Sequence, residues 1–303
     1  MKNIFLIILA VTTLIGCEKK DELVKLPTLN EYITSNSDVS IFNAVIEKGG
    51  LQSFKNGGGP ITWFMPSNEA LTNAGVTLDS ISRMTSGTAS FLVTYHMINA
   101  KVLSTDMIAQ NSIPRNTQQG TQVFLGGSNG LFYVNGSKII TADKELSNGV
   151  VHVINRVNIP INLIGNIQAI LNKTGQHSLF IAALTRANRW SLFSGNAPFT
   201  VVAPTDVAMT NAGLTSAIIA SSPVNRVDSI VRFHYFNSIR LFGNDFGNKV
   251  TPSTALGGGR TLQASDNGTK LRGRNNATPV NIIRNDILGT NGVVHIIDGV
   301  LRY

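Results

Sequence analysis

Acid–base chemistry and metal binding draw first on histidine, and this chain has five. Four of them stand at matched positions, His96 with His234 and His152 with His295. A zinc site needs three or four ligands. Each half of the chain offers two matched histidines, one cysteine serves the whole sequence, and no His-Glu-x-x-His string is present. Alternation along Val150 to Ile154 puts His152 on the same side as Val150 and Ile154, so its ring is expected to face a core and make a structural hydrogen bond. Acidic residues, 17 in all, are sparse for paired-carboxylate chemistry, and no serine is read as the nucleophile of a strand-to-helix elbow. No catalytic residue, metal or cofactor is expected.

Cations are the remaining candidates. Without its first 16 residues the chain keeps 24 basic and 17 acidic side chains, a net charge of +7 before histidine. That balance favours anionic partners such as acidic glycans. The basic residues are scattered, however, and no nucleic-acid motif accompanies them, so nucleic acid is not expected. Their densest group is Lys270, Arg272 and Arg274, whose alternate spacing on an expected strand would give them one face. This group is either a solvated strand face or an anion site.

The N-terminus reads as a targeting segment over residues 1–16. Lys2 precedes a mostly apolar run from Ile4 to Ile15, shorter than the roughly 20 residues a spanning helix needs and within the range of about 7 to 15 of a secretory signal core. Leu14-Ile15-Gly16-Cys17 looks like a bacterial lipobox, which makes Cys17 the lipid attachment residue and the membrane a partner through its acyl chains. Glu18-Lys19-Lys20-Asp21-Glu22 then forms a charged tether, residues 17–24, and resembles an export signal of some surface-exposed bacterial lipoproteins. The expected location is the cell envelope, lipid-anchored in the outer membrane, with exposure at the surface left open.

The elements that must position these side chains are organised by an internal repeat. At an offset of 138, Pro60, Thr62, Pro66 and Ala70 recur as Pro198, Thr200, Pro204 and Ala208, and Thr72-Asn73-Ala74-Gly75 recurs unchanged as Thr210-Asn211-Ala212-Gly213. By Asn148-Gly149-Val150-Val151-His152 and Asn291-Gly292-Val293-Val294-His295 the offset is 143, so five residues have been inserted. The loop-rich stretch Asn244 to Gly259 is the expected place. Two domains follow, 25–160 and 161–303, joined with almost no linker and therefore expected to touch.

Each copy opens with an amphipathic helix, Ile41, Phe42, Val45 and Ile46 in one and Leu179, Phe180, Ala183 and Leu184 in the other. A buried strand follows, Ile61 to Met65 or Phe199 to Ala203, stopped by proline. Ser67 or Thr205 should cap the next helix, with Glu69 or Asp206 in its first turn and Gly75 or Gly213 closing it.

Thr62 to Ala70 with Gly149 to Val157, and Thr200 to Ala208 with Gly292 to Val300, resemble the two sequence signatures of the fasciclin domain. Between them Tyr95-His96 matches the family's Tyr-His motif, while Phe233-His234 lacks the hydroxyl. The resemblance covers essentially the whole chain after Cys17. It implies an α+β fold of two tandem domains, each a small wedge-shaped β-sandwich flanked by helices, and a non-catalytic cell-envelope lipoprotein for adhesion or protein and glycan binding. A glycan- or nutrient-binding accessory to an outer-membrane uptake system is the alternative. Tyr95, His96 and His234 become candidate binding residues. So do Asp286 and Ile287, because Asp286-Ile287-Leu288 is similar to a segment linked to integrin binding in animal members of the family, against a structural turn role for Asp143 and Asp286. Asp79-Ser80-Ile81 and Asp228-Ser229-Ile230 resemble short O-glycosylation sites, and read equally as helix starts.

Overall fold

The computed structural model describes residues 25–107, 112–128, 130–247 and 249–303; Cys17, the signal segment and the charged tether lie outside them. Domain 1 runs α1 (Leu29–Ser35), α2 (Ser40–Lys48), β1 (Ile61–Pro66), α3 (Asn68–Asn73), α4 (Leu78–Arg83), α5 (Ser86–Tyr95), β2 (Met97–Ile98), β3 (Ile113–Asn116), β4 (Gln122–Ser128), β5 (Leu131–Val134), β6 (Ser137–Leu146) and β7 (Gly149–Ile154). Domain 2 repeats the plan with α6 (Ile167–Thr174), α7 (Ser178–Arg186), β8 (Phe199–Pro204), α8 (Asp206–Asn211), α9 (Ser216–Ser221), α10 (Val224–Arg232), β9 (Tyr235–Asn237), α11 (Gly243–Phe246), β10 (Gln263–Ser265), β11 (Lys270–Arg272), β12 (Val280–Gly289) and β13 (Gly292–Ile297). No helix among the described residues is long and apolar enough to cross a membrane.

The strand order is β2-β1-β7-β6-β5-β4-β3 in the first sheet and β10-β11-β12-β13-β8-β9 in the second. In each, one parallel pair, β1 with β7 or β8 with β13, lies among antiparallel neighbours. Register shifts along β6 and β12 bend those long strands. The bend folds each sheet over itself: Phe64 of β1 shares a buried cluster with Val123 and Leu125 of β4, although three strands separate β1 from β4 in the sheet. On the other side of β1, Trp63 and Met65 pack against α2 through Phe42, Val45 and Ile46. A strand covered on both faces has no solvent side to show, which is why Ile61 to Met65 is apolar except for Thr62, whose hydroxyl is satisfied by the backbone of Ala100 and Val102.

Capping follows the sequence closely. The Ser67 hydroxyl accepts from the Ala70 amide at 3.1 Å and that of Thr205 from the Ala208 amide at 3.1 Å. Both helices finish just before a glycine in the left-handed region, Gly75 at φ 75° and Gly213 at φ 78°.

The site of the length difference departs from expectation. In domain 1 the β5–β6 hairpin closes between Val134 and Ser137, whereas the corresponding pair in domain 2 is Leu271 with Val280. Only Asn135 and Gly136 separate β5 from β6, whereas seven residues, Gly273 to Pro279, separate β11 from β12, which accounts for the five extra residues. The insertion therefore lies in the β11–β12 loop, and Asn244 to Gly259 is not its place. Part of that stretch is helix, where Asp245 in α11 accepts from the Phe242 amide at 2.8 Å. Glycine and asparagine content flags loops but does not measure which copy has the longer one.

The two domains touch. Phe124 of β4 joins Phe242, Leu288 and Val293 in one buried apolar cluster, with Ile161 packed beside it. The Arg240 guanidinium sits 4.5 Å from the centre of the Phe124 ring. Ser112 donates to the Arg240 carbonyl at 3.0 Å.

Candidate functional site

The repeated histidines are buried and both ring nitrogens of each are occupied by backbone. His96 donates from Nδ1 to the Leu92 carbonyl at 2.8 Å and accepts at Nε2 from the Asn158 amide at 3.1 Å. His234 does the same with the Ile230 carbonyl at 2.8 Å and the Leu301 amide at 3.0 Å. His152 and His295 are inverted: Nε2 donates to Val102 or Leu241, and Nδ1 accepts from the amide of Asp143 or Asp286. Each arrangement requires the neutral ring, and burial pushes the His96 and His234 imidazoles down to about 4. These rings tie the end of α5 or α10 to the segment just after the second signature, and the second signature to the loop after β2 or β9, and they present no free nitrogen to a ligand, so His96 and His234 are not surface binding residues. Among the described residues, no three His, Cys, Asp or Glu side chains converge as a metal ion would need.

Tyr95 is equally committed. Its hydroxyl donates to the Gln122 carbonyl at 3.2 Å and accepts from Asn135 Nδ2 at 3.1 Å, pinning the tight β5–β6 turn. Phe233 has no such turn beside it, because β11 and β12 are joined by a longer loop. The longer loop instead lays Gly273 against the Phe233 ring, so closely that a Cβ there would come within 2.7 Å of it.

Asp143 and Asp286 share a left-handed conformation, φ 56° each, at the bends of β6 and β12. Asp143 accepts from the Ser104 amide at 2.8 Å and from its hydroxyl. Asp286 accepts from the Gly243 amide at 2.6 Å, and its second oxygen meets the Arg156 guanidinium of domain 1 at 3.1 Å. Arg156 also donates to Asn285 Oδ1 and to the Asn135 carbonyl. Gly136 makes this approach possible, since a Cβ there would lie 2.6 Å from the Asp286 carboxylate. With a side chain 2% exposed, Asp286 is a domain clasp rather than a contact for an outside protein. Ile287, half-buried, packs against the main core of domain 2.

The glycosylation-like serines serve helices. Ser80 completes a reciprocal cap with Thr77 at the start of α4. Ser229 lies in the second half of α10 and donates to the Asn225 carbonyl at 2.9 Å, so it is no helix start. A Gly-x-Ser-x-Gly string does occur, Gly126 to Gly130, but its first three residues end β4, which pairs with the next strand β5, whereas a nucleophile elbow needs a strand-to-helix turn.

Of the cations, Lys270 is paired with Asp266 at 2.5 Å. Arg272 and Arg274, exposed on either side of buried Gly273, line one shallow groove, and Arg274 also lines an adjoining one with Arg260 and Tyr303. Arg260 and Tyr303 escaped sequence reasoning because 14 and 29 residues separate them from Arg274. The glycine triplet before Arg260 was the only local signal.

A family model described as "Fasciclin domain" matches residues 37–160 and 175–303. The chain is 26% identical over 285 residues to "Transforming growth factor-beta-induced protein ig-h3" of Sus scrofa, covering 91% of this chain and 40% of that protein. It is 30% identical over 253 residues to "Periostin" of Homo sapiens, covering 81% of this chain and 28% of that one. The chain thus spans well under half the length of these relatives. A FAS1 domain pair from the insect cell adhesion molecule Fasciclin I is a structural neighbour with TM-score 0.43 and 18% identity, over 89% of this chain and 98% of that one.

Proposed function

The chain belongs to the fasciclin domain family, and on that ground we propose that it is a non-catalytic adhesion or binding protein of the cell envelope, held to the membrane through an acylated Cys17. One observation carries the reading: the side chains that recur in both copies and could do chemistry, four histidines and two aspartates, are spent on internal hydrogen bonds. What the two copies offer outward is surface, and a pair of domains packed through Phe124 and Phe242 holds two such surfaces in one relation. The relatives support a place outside the cytoplasm, and the Leu14 to Cys17 string supports the anchor.

Growing the native host with an alkyne-tagged fatty acid tests the anchor directly. Label on the wild-type chain, with loss of both label and membrane fractionation in Cys17→Ser, is expected; an unlabelled wild-type chain refutes the lipid anchor. Adhesion is read by comparing attachment of cells that carry or lack the chain to immobilised glycans and envelope proteins. Equal attachment on every surface would refute the adhesion role.

A further inference from the structure

We propose that the grooves lined by Arg260, Arg272, Arg274 and Tyr303 on domain 2 form a binding site for an acidic saccharide, one bearing carboxylate or sulfate groups on sugar rings. The proposal rests on the adhesion and binding reading and gives it a ligand class and a place.

Charge is the first argument. The two grooves share Arg274, enclose about 520 and 380 Å³, and have three arginines and no acidic side chain in their walls. Neighbouring Lys270 is already neutralised by Asp266, and no ion pair engages Arg260, Arg272 or Arg274 among the described residues. Guanidinium groups present planar forks of donors that match carboxylate and sulfate oxygens, and they keep their charge at any physiological pH.

Shape is the second. Tyr303 is 38% exposed; the Arg260 guanidinium carbon lies over its ring, 5.9 Å from the centre, and the ring meets Phe233 edgewise. A ring held in this way suits a sugar, whose C–H groups can pack on its exposed part while the acid group turns to the arginines. Nucleic acid would call for several stacking platforms along a basic track, and the grooves contain one such exposed ring. Thr261 and Asn275 add polar groups to the same wall.

Construction is the third. Arg272 ends β11, and Arg274 belongs to the Gly273 to Pro279 loop that follows it, the segment by which domain 2 exceeds domain 1. That loop is fixed in place: buried Asn276 accepts from the Gly273 amide at 3.1 Å and the Arg302 amide at 2.7 Å, and donates to the Val300 carbonyl at 2.9 Å. Arg272 Nε donates to the Asn276 carbonyl at 3.1 Å, which orients its guanidinium. Gly273 has no room for a Cβ, with the Arg302 carbonyl oxygen 2.1 Å from where it would stand. The arginines thus project from an ordered scaffold, which lowers the entropy lost on binding.

The chain without its lipid segment, residues 23–303, is titrated by calorimetry with a heparin hexasaccharide, a galacturonate hexasaccharide, a neutral maltohexaose and inorganic tripolyphosphate. Binding of at least one acidic hexasaccharide, with none to maltohexaose, is expected. Arg260→Ala and Arg274→Ala should each weaken it tenfold or more, while the charge-matched single variants Lys138→Ala and Lys144→Ala on domain 1 each change it less than twofold. Tyr303→Ala should weaken hexasaccharide binding but leave tripolyphosphate unchanged, which separates ring recognition from bare anion attraction. The heparin and galacturonate arms decide between sulfate and carboxylate. Equal losses in the domain 1 and domain 2 variants, an inert Tyr303→Ala, or no acidic saccharide bound would each overturn the site. The wider adhesion reading would survive any of these if cells still attach through the chain.

Discussion

At the scale of single residues, what looked like chemistry is fold maintenance, and it works through buried polar groups whose loss is costly. Thr62 Oγ1 donates to the Ala100 carbonyl and accepts from the Val102 amide at 2.9 Å, and Thr200 repeats this with Ile239 and Leu241. Replacing either threonine by valine strands a buried amide, and thermal or urea unfolding should show a loss of about 1–3 kcal/mol. Gly149 and Gly292 are held more strictly. A Cβ at Gly149 would fall 1.9 Å from the Ile61 carbonyl oxygen and one at Gly292 2.2 Å from that of Phe199, with φ at 152° and 158°. Gly149→Ala or Gly292→Ala must push the parallel pair apart, and a loss of roughly 3 kcal/mol or more is expected in the same measurement. The Asn-Gly-Val-Val-His marker is thus legible in sequence because each position is constrained: asparagine carbonyl to the next strand, glycine against its backbone, valines in the core, histidine bridging to a distant loop.

Elements explain why the middle motif diverged. In domain 1 a two-residue turn brings Asn135 to the Tyr95 hydroxyl; in domain 2 a seven-residue loop covers Phe233 with Gly273. Tyr95→Phe should therefore destabilise domain 1 by about 1–2 kcal/mol, because Asn135 loses a buried acceptor. Phe233→Tyr should not stabilise domain 2, since its new hydroxyl would enter a closely packed apolar site; differential scanning calorimetry of the two variants checks the asymmetry. At the junction, the apolar cluster outweighs the clasp. Arg156 is 40% exposed, so its pairing with Asp286 is screened by solvent, whereas Phe124 is 6% exposed. Small-angle scattering should show a wider spread of interdomain distances for Phe124→Ala than for Arg156→Ala, and the reverse order would assign the junction to electrostatics.

Across the whole molecule, the same buried groups set a pH response that differs between domains. His96 and His234 fall from 6.5 to about 4 on burial, so their neutral forms contribute stability that is complete above about 6.5 and is lost as pH drops toward 4. Each is worth roughly 3 kcal/mol by linkage. Asp245, raised from 3.8 to about 6 by burial, acts in the opposite sense: its contribution is present below about 3.8 and disappears as pH rises through 6. Domain 2 alone carries Asp245, and it also buries His177, a third histidine that burial lowers, so the two domains should lose stability over different pH ranges. The two tryptophans, Trp63 and Trp190, lie one in each domain, so fluorescence of the Trp63→Phe and Trp190→Phe variants between pH 7.5 and 4 reads each range. The sequence alone determined the repeat, the caps, the buried strands and the family resemblance, because those depend on local periodicity and on residue types that only one backbone conformation tolerates. Tertiary structure decided where the inserted residues went, that Asp286 reaches across to Arg156, and that Arg260 and Tyr303 join Arg274. Such meetings depend on how bent strands and loops return in space, and a chain order in which the partners lie 14, 29 or 130 residues apart carries no trace of them.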